Sequence, residues 1–279
     1  MNTNRNYKDS VFTKLFGEKE NLLELYNAIE GKNYGKDTEI VIATLEDVLY
    51  MEQMNDIAFV IDGKIIVLIE HQSTINPNIP FRMLSYVPRV YEKIVDSDKL
   101  YSTSRIPLAR PEFIVLYNGK DAFPDKETYK LSDAFEECGE ECPPNLELIV
   151  QVYNINDGRN PEMAARSETL KGYEKFIAEI VKNEKTMSRE KAIRKAVEDC
   201  IKRNILRSFL ETNASEVINM LLKEWNMDDA LRVRGEEKLR EGMQQGLQQT
   251  ARKMLNMGMD VDTIAKATGL FVDDILRLK

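Results

Sequence analysis

Asn55-Asp-Ile-Ala-Phe-Val-Ile-Asp-Gly-Lys-Ile-Ile-Val-Leu-Ile-Glu-His-Gln72 decides how this chain is read. Two apolar runs, Ile57–Ile61 and Ile65–Ile69, flank the turn pair Asp62-Gly63. Their apolar residues are continuous rather than alternating, which predicts two central strands, Asp56–Ile61 and Ile65–Glu70, covered on both faces. A carboxylate stands at each of two adjacent strand ends, Asp56 and Glu70. Carboxylates buried side by side repel, so they imply a shared proton, a cationic partner or a divalent metal. Register decides whether they cooperate. A two-residue loop, Asp62-Gly63, pairs Ile61 with Lys64 and turns Asp56 and Glu70 to opposite faces. A three-residue loop, Ile61-Asp62-Gly63, pairs Val60 with Lys64 and places Asp56 opposite Leu68, on the face of Glu70 and Gln72.

Outward from the hairpin, Asp9–Ile29 places its apolar residues on one helical face, with a break expected at Gly17 and a stop at Gly31. Glu39–Leu45 reads as a strand, Ile79–Val95 as a helix containing Pro88, and Glu112–Tyr117 and Leu146–Tyr153 as strands around an acidic loop. From Asn160 onward the pattern is helical: Glu162–Asn183, Arg189–Leu210, Ser215–Glu224 and Asp229–Met257, then a short pair. The class is α/β, in the order helix, three strands, helix, two strands, followed by an all-helical region. Charge divides similarly, with a net −10 over residues 1–185 and +2 over 186–279. These two ranges are the expected domains.

Several chemistries are excluded. A single histidine, His71, rules out a His-cluster metal site and a His–His acid–base pair, and no nucleophile motif lies near it. No Gly-rich phosphate loop is present, so no organic cofactor is expected. Hydrolytic chemistry would have to rest on carboxylates and a metal. Three cysteines, an odd number, argue against a disulfide framework; Cys138 and Cys142 supply only two ligands of a zinc site and read as loop thiols. The polar N-terminus and the absence of a long apolar run predict a cytoplasmic protein without a membrane span. The acidic balance, −8 overall, argues against a non-specific coat on nucleic acid but leaves room for a local cationic groove.

Asp56, followed by Glu70-His71-Gln72 at the end of the next strand, resembles the active-site pattern of the PD-(D/E)XK nuclease superfamily. The helix–three strands–helix–strand order over residues 9–118 is similar to its restriction-endonuclease-like core, a mixed central sheet flanked by helices. KDSVFTKLFG (Lys8–Gly17), IEHQS (Ile69–Ser73) and the PFRMLSY that follows resemble the recombination-promoting nuclease (Rpn) and putative transposase family. The resemblance implies a metal-dependent DNA endonuclease associated with recombination or mobile elements. Asp56 and Glu70 would hold Mg²⁺, or Mn²⁺ in its place, with the main-chain carbonyl of His71 as a third ligand and Asp9 as a further carboxylate. The last motif position is usually Lys and is Gln72 here, which orients by hydrogen bonding but carries no charge. Lys64 or Arg82 is the nearby basic residue expected to compensate.

Other readings stand beside this one. Asp56, Glu70 and Gln72 also suit a strand-end cap, a lysine partner and a turn, and the chain would then be a non-catalytic DNA-binding or assembly protein on a nuclease-like core. The His71 side chain is expected to point away from Glu70. Arg82 and Arg89, seven apart on one helical face, suit phosphate contacts or surface ion pairs. The basic run Arg189–Arg207 is equally a groove or a solvated face. Gly242 and Gly246 with Leu239, Met243 and Leu247 suit either a homodimer through the C-terminal helices or internal packing. Asp260–Lys279 resembles a helix-turn-helix hairpin. Asp273 and Asp274, and the lack of a visible third helix, favour packing over DNA reading.

Overall fold

The computed structural model describes residues 10–42, 56–63, 65–136 and 144–278. Asp9, Lys64, Cys138 and Cys142 lie outside them, as do the side chains of Asp56 and Arg89. The chain forms two compact units, Met1–Leu222 and Lys223–Lys279, so this division falls later than the change of composition at residue 185.

The first unit opens with α1 (Val11–Phe16) and α2 (Lys19–Glu30). Ser10 caps α1 by accepting from the Thr13 amide, and the break at Gly17 separates the helices. Gly31, at φ 65°, ends α2 in the left-handed conformation that costs glycine least. A six-stranded mixed sheet follows, built from β1 (Ile40–Ile42), β2 (Asp56–Ile61), β3 (Ile65–Gln72), β4 (Arg110–Tyr117), β5 (Lys126–Lys130) and β6 (Ile149–Asn154). Its spatial order is β1-β2-β3-β4-β6-β5. The β3/β4 and β4/β6 pairs are parallel; the others are antiparallel. Helix α3 (Ile79–Ile94) is the crossover between β3 and β4. This is an α/β nuclease-like core followed by a helical C-terminal region.

Both faces of the central strands are covered. On one, Ala58, Val60, Val115, Tyr117, Val150 and Val152 pack with Ile79, Met83, Tyr86 and Val90 of α3. On the other, Phe59 meets Tyr26 of α2 and His71 meets Phe12 of α1. Further helices follow among the described residues: α4 (Pro161–Arg166), α5 (Glu168–Glu184), α6 (Arg189–Lys202), the 50-residue α7 (Arg207–Asn256) and α8 (Val261–Thr268). A last short helix, α9, spans Val272–Leu276.

Four segments differ from expectation. The single helix expected over 162–183 is cut at Ser167, whose side chain caps α5 by accepting from the Leu170 amide. The helix expected to run from Arg189 to Leu210 stops at Lys202, with Asn204 and Leu206 at positive φ before α7 begins. Leu206 there packs against Gly172, where a Cβ would come within 2.9 Å of its side chain. The helices expected at 215–224 and 229–257 are one. Strand β5, KETYK, lies in the stretch read as loop. It is a polar, largely exposed edge strand whose order comes from pairing with β6 rather than from burial.

Candidate active site

The hairpin adopts neither of the two pairings weighed from sequence. Ile61 pairs with Ile65, leaving three residues between them, and Asp56 stands directly opposite Glu70. Asp62 (φ 50°) and Gly63 (φ 64°) both take left-handed backbone conformations, which these residue types tolerate. Directly opposed residues of an antiparallel pair share a face, so positions 56 and 70 are neighbours on the α3 side of the sheet. Gln72, two residues on and half-buried, shares that face. Its main-chain carbonyl accepts from the Asn118 amide at 3.1 Å. The chain leaving β4 lies tightly against this strand end: a Cβ on Gly119 would fall 2.0 Å from the Ser73 carbonyl oxygen.

Glu70 is buried, 3% exposed, between position 56 and Val115 of β4. Its Oε1 accepts a charged contact from Arg82 Nη1 at 3.0 Å, from the first turn of α3. Its Oε2 is buried with no hydrogen-bond partner among the described residues. Burial pushes the Glu70 carboxyl above the ordinary glutamate range, and the Arg82 guanidinium opposes that shift without cancelling it. A carboxylate with one oxygen held and one bare is an incomplete polar site. Arg82 is thus a partner of Glu70, and Arg89 is placed only as a position on α3.

His71 faces the other way. Its ring stacks on Phe12 at 4.5 Å with the planes 8° apart, and its Nε2 shares a hydrogen bond of 3.1 Å with the Tyr173 hydroxyl of α5. Burial lowers its pKa to about 3, so the ring is neutral. Two stretches quoted for their resemblance, Lys8–Gly17 and Ile69–Ser73, therefore meet through the Phe12–His71 stack. Tyr173, 102 residues away in sequence, is a partner that no local pattern reveals. Beside it, Glu174 is buried with no hydrogen-bond partner for Oε1 among the described residues, and its pKa is pushed up to about 8, chiefly by burial and next by the Asp157 charge. Among the described residues, no three His, Cys, Asp or Glu side chains converge as a metal site; the set expected here includes Asp9 and the Asp56 side chain, which lie outside the described part of the structure. No helix among them is long and apolar enough to cross a membrane.

The second unit supplies what the C-terminal hairpin lacked in sequence. Ala251 on the last turns of α7 packs with Ile264 of α8 and Ile275 of α9, and Met254, Leu255, Val261 and Leu270 surround them. The third supporting helix is therefore the end of α7, hidden in sequence because that helix is continuous with 207–250. This removes the main ground for reading the hairpin as packing alone. Residues 244–279 match the C-terminal helix-turn-helix domain of the Rpn/YhgA-like nuclease family. Residues 41–202, more than half of the chain, match the family described as "Putative transposase, YhgA-like". No curated protein and no solved structure matches. The chain belongs to this YhgA-like putative transposase family, and its residues 244–279 form a C-terminal helix-turn-helix domain of the Rpn/YhgA-like type.

Proposed function

We propose that the chain is a divalent-metal-dependent DNA endonuclease of PD-(D/E)XK type, acting in recombination or mobile-element transfer. The observation that carries this reading is the buried Oε2 of Glu70, without a hydrogen-bond partner among the described residues, at a register position directly opposite Asp56. Oxygen donors of this kind fit a hard cation such as Mg²⁺ or Mn²⁺. Glu70 and Asp56 would hold it, with the His71 main-chain carbonyl and Asp9 as further ligands. When bound, a divalent cation supplies positive charge beside the scissile phosphate and acidifies water.

The residues of the chain do the rest. Arg82 favours the ionised form of Glu70 against burial. Gln72, on the same face, orients water or a phosphate oxygen by hydrogen bonding. In hydrolysis, the water oxygen forms a new bond to phosphorus and one ester P–O bond breaks. The proton released from water ends on the departing sugar oxygen, leaving a phosphomonoester and an alcohol. The helix-turn-helix supports DNA as the partner.

Self-association through α7 completes the reading, since a dimer would place two sites to cut two strands. Leu239, Met243 and Leu247 are exposed on α7, and nothing lies within 4 Å of a Cβ placed at Gly235, Gly242 or Gly246. A helix carrying three glycines, each costing about 1 kcal/mol relative to alanine, gains from a covering partner. Light scattering is expected to give a dimer that Leu239→Lys with Leu247→Lys splits; a wild-type monomer removes this part of the reading.

The test of activity is nicking of supercoiled plasmid. Wild-type protein with Mg²⁺ or Mn²⁺ is expected to nick, and EDTA to stop it. Asp56→Ala and Glu70→Ala are each expected to lose at least about 10³-fold in rate. Folded wild-type protein that binds DNA but never nicks it points instead to a non-catalytic DNA-binding or assembly role.

A further inference from the structure

The superfamily pattern that this site resembles has its cation at the last motif position, and this chain lacks one there. Position 72, on the strand, is a neutral glutamine. Arg82, on the first turn of α3, reaches the strand from across the face and contacts Glu70 Oε1 at 3.0 Å. The two side chains are unequally exposed, Arg82 at 32% and Glu70 at 5%. The arginine side chain is thus the more exposed of the two and the more accessible to an approaching phosphate. Arginine stays charged at every working pH and can grip phosphate oxygens in a fork.

We propose that Arg82 is the cationic catalytic residue of this site and that it changes partners. It pairs with Glu70 in the metal-free protein, and it passes to the scissile phosphate when a divalent cation takes Glu70. The inference rests on the endonuclease reading and adds to it the charge that Gln72 cannot provide. Two physical consequences follow. The guanidinium and the metal compete for the same carboxylate, so each weakens the other's hold. On the phosphate, the guanidinium stabilises charge that grows as the ester bond breaks, so its effect falls on turnover rather than on DNA binding.

The experiment compares wild type, Arg82→Ala and Arg82→Lys in two measurements at pH 9, where a proton competes least for Glu70. Calorimetric titration with Mn²⁺ reads metal affinity without turnover. Plasmid cleavage at saturating Mn²⁺ reads kcat and the DNA KM. Arg82→Ala is expected to bind Mn²⁺ more tightly, on the order of tenfold. Its kcat is expected to fall roughly 10²–10³-fold with far less change in KM, and Arg82→Lys to recover part of the loss. A purely structural arginine would lower metal affinity, kcat and melting temperature together, and that result overturns the proposal. So does an Arg82→Ala protein that cleaves as wild type does. Wild-type protein that binds Mn²⁺ tightly and cleaves nothing overturns the endonuclease reading and the phosphate half of this one. The competition for Glu70 is then judged on the affinities alone.

Discussion

The two faces of the last turn of β3 treat their polar residues in opposite ways. His71 is buried and complete: its ring is stacked on Phe12 and its nitrogen is hydrogen-bonded to Tyr173. Glu70, its neighbour in sequence, is buried and incomplete, with Arg82 on one oxygen and no hydrogen-bond partner among the described residues on the other. Burial disfavours the charged form of both groups, lowering the histidine and raising the glutamate. The histidine answers by staying neutral, which suits a ring that ties α1 and α5 to the sheet. Glu70 has an arginine beside it that favours the ionised form. A fold that keeps a buried carboxylate half-satisfied is keeping an arrangement unfavourable to stability alone, and such places are where function is sought.

Glu174 is the sharpest challenge to that contrast. It too is buried with an oxygen that has no hydrogen-bond partner among the described residues, but burial outweighs the opposing Lys175 charge, and its raised pKa of about 8 lets it answer by taking a proton. The sign follows from that shift. The folded-state pKa lies above the ordinary value of 4.5, so the group's contribution is fully present below about pH 4.5 and is lost as pH rises through about 8. Glu174→Gln, neutral throughout, is expected to be more stable than wild type at pH 9, by on the order of 4 kcal/mol, with the gap closing toward pH 4.5. Urea unfolding across this range measures it. A gap independent of pH would mean that Glu174 is ionised in the fold, and the distinction from Glu70 would fail.

A smaller effect probes the complete side. Tyr173→Phe removes the partner of His71 Nε2 and is expected to cost about 1–2 kcal/mol of stability. Plasmid nicking per folded molecule should be unchanged, because Tyr173 lies on the far face from Glu70. A large loss of nicking with normal stability would show that the two faces are not separate in function.

Much of this contrast was legible in the chain. The uninterrupted apolar runs of β2 and β3 require cover on both faces, and they receive it. Alternation along a strand is enough to send His71 away from Glu70. The pairing of Asp56 with Glu70 was less legible, because hairpin register depends on how three residues around Asp62-Gly63 turn, and several loops satisfy the same sequence. Strand β5 escaped notice because KETYK buries almost nothing and is ordered by its neighbour. The third helix of the C-terminal unit was hidden inside a 50-residue helix that carries no stop signal at its start. Tyr173 and Arg82 differ in kind: Arg82 stands ten residues after Gln72 and was open to suspicion, whereas Tyr173 reaches His71 only through the tertiary fold.

The central claim is that Glu70 is incomplete because a divalent cation completes it. Calorimetric titration of Mn²⁺ into wild-type protein and into Glu70→Gln, in the absence of DNA, tests this most directly. The account predicts saturable binding to wild type that weakens at least about 100-fold in Glu70→Gln, with both proteins folded. Equal affinity in the two, or no binding to the wild type, would contradict it.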